Sequence, residues 1–372
     1  MQRWTRLSRN AAVSAAGPAA SRAAEGAWRR DAAKPAGETP ALRSSAHRGA
    51  IVGAGNVAVN GHMPSWNAMI VAGVESDAAR RAEVAAMLPD IHWVDSLDHV
   101  RDVDFVDICT PPSTHAALIK HALRRGFHVL CEKPLVTRGD DFEEIAGLAE
   151  SLDRVVYTVD NWRNAPILAR ATSLIREGAI GEVRRVKWVV LRNGPSATIG
   201  SGNWRLDAEI AGGGIAVDHG WHAVYVLHDW IGTPPSSVRG TLESRLTLPG
   251  AAQPSSLRPR LEDTALLEID YPRASAEIFL TWAADERRNL ATIEGTRGTM
   301  HIDGDRLEVN GVESRCEPSL TAGSHHAEWF PGVIERFFAE IDNPSLRGRN
   351  LDVAAICMNV LAAARQAEEI TT

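Results

Sequence analysis

Asp218 and His222 stand four positions apart in the run GGGIAVDHGWH, residues 212–222. If the run is helical beyond its glycines, the two side chains share one face, because positions i and i+4 stack on an α-helix. A carboxylate beside an imidazole orients the ring and stabilises its protonated form. That pairing suits a general base working near neutral pH. The three glycines admit close approach of a ligand or of another backbone. A plain alternative fits the same residues, a helix start with a packed histidine, since paired histidines are structural as well as catalytic.

A second candidate is Lys133, in CEKPL at 131–135. Most lysines are solvated surface groups. This one lies between an acid and a proline at the end of an apolar run. A lysine there can hydrogen-bond a substrate oxygen and favour negative charge developing on it. The third candidate is GAGNVA, residues 53–58. Gly53 permits a tight turn, Gly55 leaves room for a pyrophosphate, and Ala58 keeps the following helix close to a sheet. Asn56 and Val57 complete the loop, and the helix N-terminus faces the phosphates. Glu75 follows at the distance expected of a carboxylate that holds a ribose 2′-hydroxyl and repels a 2′-phosphate. No arginine directly follows Glu75, so NAD is expected over NADP. Arg80 and Arg81 keep NADP open.

Such groups need a frame. From residue 49 short apolar runs at 50–52, 69–74, 103–109, 128–131 and 155–159 alternate with helical spacing at 78–88, 114–125 and 140–151. Strands alternating with helices imply βαβ units and a doubly wound parallel sheet, with ligands beyond the carboxyl ends of the strands. CTPPSTH (109–115) and CEKPL lie at such ends. Beyond residue 166 the grammar changes. One helix at 167–177 leads to β-rich runs at 182–192, 237–248, 264–271, 275–283 and 289–294, then a hairpin pattern at 298–311. Consecutive strands with short turns predict a mostly antiparallel sheet. Helices are predicted at 326–341 and 351–368. The expected fold class is α/β, a Rossmann domain at 47–165 followed at 166–372 by a substrate-binding and oligomerisation domain with a large open sheet. Residues 1–46, rich in Ala, Arg and Ser, read as a disordered extension or a targeting segment.

Composition narrows the function classes. The 372 residues carry a net charge of −7, which does not suggest a nucleic-acid partner. No apolar run is long enough to span a bilayer. The four cysteines contain no C-x-x-C pair, which fits a reducing, cytoplasmic compartment rather than a disulfide framework or zinc site. A metal reading of Asp218, His219, His222 and His228 is set aside, because one helix does not aim such a set at one ion, and no metal is expected. Eleven tryptophans stand against three tyrosines. Trp204, Trp221 and Trp282 lie near the motifs, and tryptophan faces stack on the C–H faces of sugars. Each of them fits core packing as well. His325 and His326 open the late helix and are candidates to reach the pocket.

GAGNVA, VDICTPPSTH, CEKPL, NWR and GGGIAVDHGWH, in this order, resemble the Gfo/Idh/MocA oxidoreductases, the glucose–fructose oxidoreductase and inositol dehydrogenase family. The resemblance runs from about Arg48 to the C-terminus. It implies that Lys133, Asp218 and His222 form the catalytic group, with His222 the proton acceptor. It implies that Thr110, Pro111, Pro112, His115, Glu132 and Asn161 lie along the cofactor. Trp162 and Arg163 match a region that touches cofactor or substrate, with Trp204 and Arg205 facing substrate. Tyr225 stands where the family commonly has an aspartate, a change in the support of His222. The implied activity is an NAD(P)-dependent dehydrogenase for a secondary alcohol of a sugar, cyclitol or related polyol. The implied assembly is a homo-oligomer, dimer or tetramer, through the C-terminal sheet. The alternatives are a lyase or glycosidase that retains NAD and cycles the hydride, and a non-catalytic NAD(P)-binding sensor.

Overall fold

The computed structural model describes residues 47–196, 203–245, 261–323 and 326–366. The extension 1–46 and His325 lie outside the described residues. Six strands form the first sheet: β1 (Gly49–Val52), β2 (Ile70–Val74), β3 (His92–Val94), β4 (Phe105–Ile108), β5 (His128–Cys131) and β6 (Val156–Thr158). Their order is β3-β2-β1-β4-β5-β6 and every pairing is parallel. β1 and β4 are buried at every position, as strands covered on both faces must be. Order reverses between β1 and β4, so the ligand crevice opens beyond their carboxyl ends. The glycine loop follows β1, CTPPSTH follows β4 and CEKPL ends β5. Only β3, three residues long, has no matching apolar run in the sequence.

Successive side chains of a strand point to opposite faces, and β1 shows it. Ala50 and Val52 join one core cluster and Ile51 the other. Ile51, Phe105, Leu130 and Tyr157 pack against Phe330, Phe337, Phe338 and Ile341. Three of that last group belong to the helix Pro331–Asp342. The chain therefore returns from the second domain to cover the first sheet, a return that sequence order does not announce. Pro331 starts this helix five residues later than the sequence suggests, after a 3₁₀ turn at Ala327–Trp329.

The second sheet has eight strands: β7 (Val183–Leu191), β8 (Ser237–Glu243), β9 (Thr264–Asp270), β10 (Ser275–Thr281), β11 (Arg288–Gly295), β12 (Thr299–Asp303), β13 (Arg306–Val309) and β14 (Val312–Arg315). The order is β14-β13-β12-β11-β7-β10-β9-β8. Only β7 and β10 run parallel. Burial alternates along β9 and β11, so one face is packed. The helices Gly220–Ile231 and Arg349–Gln366 pack on each other and against this sheet. Gly220–Ile231 is buried almost all round, as its near-continuous apolar run requires.

The glycines at 212–214 serve packing. A Cβ on Gly214 would lie 1.8 Å from the Glu262 carbonyl oxygen, and one on Gly212, at φ +79°, would lie 2.5 Å from Thr137 Cγ2. The backbone of residue 262, not a ligand, takes up the room. Ile215 N–H donates to the Glu262 carbonyl at 3.0 Å, and Ala216 N–H to its Oε1 at 3.2 Å. Buried Glu262 thereby satisfies the first amides of the helix Ile215–Asp218, which otherwise lack partners. Gly214→Ala is expected to cost about 1–3 kcal/mol through this clash. Denaturant unfolding measures it, and an unchanged midpoint would contradict the packing described.

Candidate active site

The glycine loop comes first, since it orders the crevice. Gly53 sits at φ +89°, where a Cβ would meet Thr110 Cγ2 at 2.8 Å, so only glycine fits between the β1 and β4 turns. The Cβ position of Gly55 faces open space, the clearance a pyrophosphate needs. The next turn is a π-helix, Val57–His62, in which Met63 N–H reaches back to the Ala58 carbonyl. Asn56 accepts from the Asn60 amide on its outer side. Glu75 closes β2 and accepts from Ala54 N–H and Asp77 N–H, each at 3.0 Å. Arg80 Nε donates to the Ala54 carbonyl (2.9 Å) and Arg81 Nη1 to that of Glu75 (2.6 Å). Val57, Thr110, Pro112, Glu132 and Asn161 line the cleft. Asn161 Oδ1 is buried there without a donor. Open room at Gly55 and an orphan acceptor at Asn161 fit a dinucleotide.

Lys133 reaches across the crevice. Its Nζ donates to Asp218 Oδ1 at 2.7 Å and to the Asp218 carbonyl at 3.0 Å. Burial pushes the Asp218 carboxyl up, but Lys133, His219 and Arg205 outweigh it and hold the group well below the usual carboxylate range. Asp218 therefore stays ionised and aims the lysine.

The sequence pairs Asp218 with His222, and here the structure differs. The helix breaks at His219, between Ile215–Asp218 and Gly220–Ile231. The Asp218 carboxylate bonds Lys133 rather than the imidazole, although its charge still acts on His222. His222 is held instead by Tyr225, whose Oη lies 2.8 Å from Nδ1. Trp162 N–H donates to the same phenol oxygen at 3.0 Å. The Trp162 ring stacks on the imidazole, centroids 4.5 Å apart and planes 9° apart. Burial first, then the Lys133 charge, hold the His222 pKa well below its ordinary value, so the ring is neutral. The phenol has one proton. Trp162 N–H can only donate, so Nδ1 is the remaining acceptor. The alternative, Nδ1–H donating to Oη, would bury the phenol proton without a partner at a cost of about 1–3 kcal/mol. The hydrogen bonds thus favour the Nε2–H form of His222, with Nε2 toward the cleft.

Other expectations sort by burial. Trp204 and Arg205 line the cleft, the guanidinium 4.3 Å from the Trp204 ring centroid. His326 lines it too. His115 does not. It is fully buried, its ring nitrogens 2.8 and 2.9 Å from the carbonyls of Thr110 and Pro134, and it fills the space between the two loops. Pro111 turns its loop into the helix by accepting Thr114 N–H. Arg163 is not a ligand group either. Asp229 takes its Nε and Nη2 at 2.7 and 2.9 Å, and Asp160 takes Nη1. Trp221 and Trp282 are core residues, 2% and 1% exposed.

One contributor was missed. His62, at the end of the π-helix, is buried with Nδ1 2.9 Å from Asp107 and Nε2 3.1 Å from Glu132. Burial alone would lower its pKa, but Asp107 outweighs it and raises the imidazole well above its usual value. A charged His62 between two carboxylates fixes Glu132, whose other oxygen accepts Lys133 N–H at 3.0 Å. The only sequence signal was a histidine directly behind the glycine loop.

Comparison with known proteins follows this geometry. Residues 47–160 match the oxidoreductase family NAD-binding Rossmann fold, and residues 168–301 match the GFO/IDH/MocA C-terminal domain. The levoglucosan dehydrogenase of Pseudarthrobacter phenanthrenivorans is 27% identical over 250 residues, 63% of each chain. This chain thus spans less than two thirds of that enzyme's length. Among solved structures, an Agrobacterium radiobacter oxidoreductase in complex with NAD+, L-tartaric acid and magnesium superposes with TM-score 0.73 at 20% identity, covering 87% of this chain and 96% of that one. A levoglucosan dehydrogenase in complex with NADH and L-sorbose gives TM-score 0.72 at 22% identity, covering 86% and 97%. These structures share the fold.

The His222–Tyr225 arrangement is open to direct measurement. Nitrogen-15 NMR of the imidazole should show Nδ1 unprotonated and Nε2 protonated at neutral pH. In Tyr225→Asp a carboxylate would accept from Nδ1, and the proton should move there. A wild-type spectrum with Nδ1 protonated would refute the assignment.

Proposed function

The chain belongs to the GFO/IDH/MocA oxidoreductase family, and from that membership we propose that it is an NAD-dependent dehydrogenase acting on a secondary alcohol of a sugar, cyclitol or related polyol. One observation carries the reading. Lys133 from the first domain and Asp218 and His222 from the second meet beside the glycine loop, with Lys133 Nζ 2.7 Å from Asp218.

Bound NAD would supply the hydride acceptor. Gly53 to Ala58 would hold its pyrophosphate, Glu75 its ribose hydroxyl, and Asn161 with Glu132 the nicotinamide end. The carboxylate of Glu75 favours NAD, and Arg80 and Arg81 are engaged with backbone carbonyls. The reacting oxygen would sit between Lys133 Nζ and His222 Nε2. His222, neutral and carrying Nε2–H, serves as a hydrogen-bond donor that stabilises charge on this oxygen. The proton then falls to Lys133. In reduction the Lys133 ammonium protonates the oxygen, and oxidation runs that transfer in reverse. This moves the acid–base role from His222, expected from the sequence, to the lysine. Asp218 keeps the amine aimed, and Trp162 keeps the imidazole planar to its own ring.

Lys133→Met is expected to lower NAD-dependent turnover by roughly 10²–10⁴-fold, read as NADH formation on a panel of sugars, cyclitols and polyols. NADH binding, followed by fluorescence, should stay within about twofold, since the glycine loop and Glu75 do the holding. Turnover that survives the substitution, or a wild-type protein that reduces NAD on none of the panel, would overturn the reading.

A further inference from the structure

The charges of the cleft do not balance. Its two carboxylates are both spoken for, Glu132 by His62 at 3.1 Å and Asp218 by Lys133 at 2.7 Å. Arg192, Arg205 and Arg287 line the same cleft from the second domain. Among the described residues, no carboxylate oxygen lies within 4.0 Å of any of their guanidinium nitrogens. Arg192 is the decisive case. It follows β7 and is only 3% exposed. Its Nη1 donates to the carbonyls of Leu191 (2.7 Å) and Arg288 (3.2 Å), and Nη2 reaches Asn289 Oδ1 at 3.4 Å. Its Nε–H has no acceptor among the described residues. Arg287 repeats the pattern, with Nη2 on the Gly323 carbonyl at 2.8 Å and Nε without a partner.

A buried cation with no carboxylate bonded to it is costly, and neutral carbonyls and the charge of Asp218, already bonded to Lys133, compensate only in part. Arg192 and Arg287 also repel each other. Burial and the nearby Arg287 push Arg192 down to about 10, and Arg192 and Arg287 join burial in lowering His219 to about 3. A site pays this repulsion back when an anion enters, because charge-assisted bonds from a planar guanidinium to a carboxylate or phosphate are strong and directional.

We propose that the substrate carries an anionic group, a carboxylate or a phosphate, seated among Arg192, Arg205 and Arg287 while its reacting hydroxyl meets Lys133 and His222. The inference rests on the dehydrogenase reading for the hydroxyl, but not for the anion. The anion takes no part in the bond changes. It anchors the far end of the substrate and fixes which carbinol faces the nicotinamide. The Arg205 guanidinium rests 4.3 Å from the Trp204 ring centroid, a cation–π contact in the lining of the cleft.

Calorimetry of NADH-loaded protein tests it with three probes: D-gluconate, inorganic phosphate and sorbitol, the neutral counterpart of gluconate. At least one anion should bind about tenfold or more tightly than sorbitol, and more tightly still as ionic strength falls. Gluconate and phosphate separate the two sources of anion. Arg192→Met should remove the preference. Arg205→Met, at a less buried position, should weaken it even if the first variant folds poorly. The proposal is overturned if neither anion outbinds sorbitol, or if folded forms of both variants keep the wild-type preference. Anion binding without any NAD reduction would leave the subsite standing and sink the dehydrogenase. NAD-dependent oxidation of neutral polyols without anion binding would do the reverse.

Discussion

The contact on which the rest of this site depends is the ion pair between Lys133 and Asp218. It joins a turn at the end of β5 to the broken helix of the second domain, so the site exists only when both domains are in place. Both partners are largely out of water. Such a pair gains little net stability, because desolvation offsets much of the attraction, yet losing one partner strands the other. Its value lies in aim. A lysine on a flexible stem becomes a group at a fixed point, and fixed donors are what a reacting oxygen needs.

Positions around that pair are fixed by packing rather than by further ion pairs. Gly214 presses against Glu262, whose carbonyl and carboxylate receive the first amides of the helix that carries Asp218. On the other side His62 bridges Asp107 and Glu132, so the residue before Lys133 is locked from within the first domain. His115, kept neutral by burial, fills the space between the turn after β4 and the turn after β5, its single N–H donating to one of the two facing carbonyls. The return of Pro331–Asp342 across the first sheet then binds the two domains by apolar contact. Each tie removes a freedom that would blur the geometry at Lys133.

Much of this was legible in the sequence where the information is local. The alternation of apolar runs and helical spacing gave the two sheets, and the glycine fingerprint with Glu75 gave the crevice. Lys133 stood out because it lies between an acid and a proline at the end of an apolar run, where the crevice was expected. The pairing of Asp218 with His222 misled, because periodicity assumes one continuous helix and the chain breaks it at His219. Tyr225 was visible as a departure, but its effect depends on a backbone amide sixty-three residues away, at Trp162. His115 and Arg163 face protein partners, and Trp221 and Trp282 the core, while Trp162 and Trp204 line the cleft, because a motif names a residue type and only packing says whether it faces ligand or core. Arg192 carried no signal at all, since an arginine after a strand looks like surface until its partners are counted.

Electrostatics then bear on which residue would handle the proton in the proposed reaction. Burial weighs most against a charged His222, Lys133, His219 and Arg192 add to it, and the Asp218 charge, bonded to Lys133, opposes them without prevailing. An imidazolium there would add a cation to a wall already rich in them. A neutral ring whose Nδ1 is occupied by a phenol proton has one thing left to offer the cleft, a hydrogen bond from Nε2. An aspartate at position 225 would have reversed this by accepting from Nδ1 and favouring the charged ring. A single side chain behind the histidine thus bears on whether it gives or takes a hydrogen bond, and in the proposed reaction Lys133 takes the role that remains.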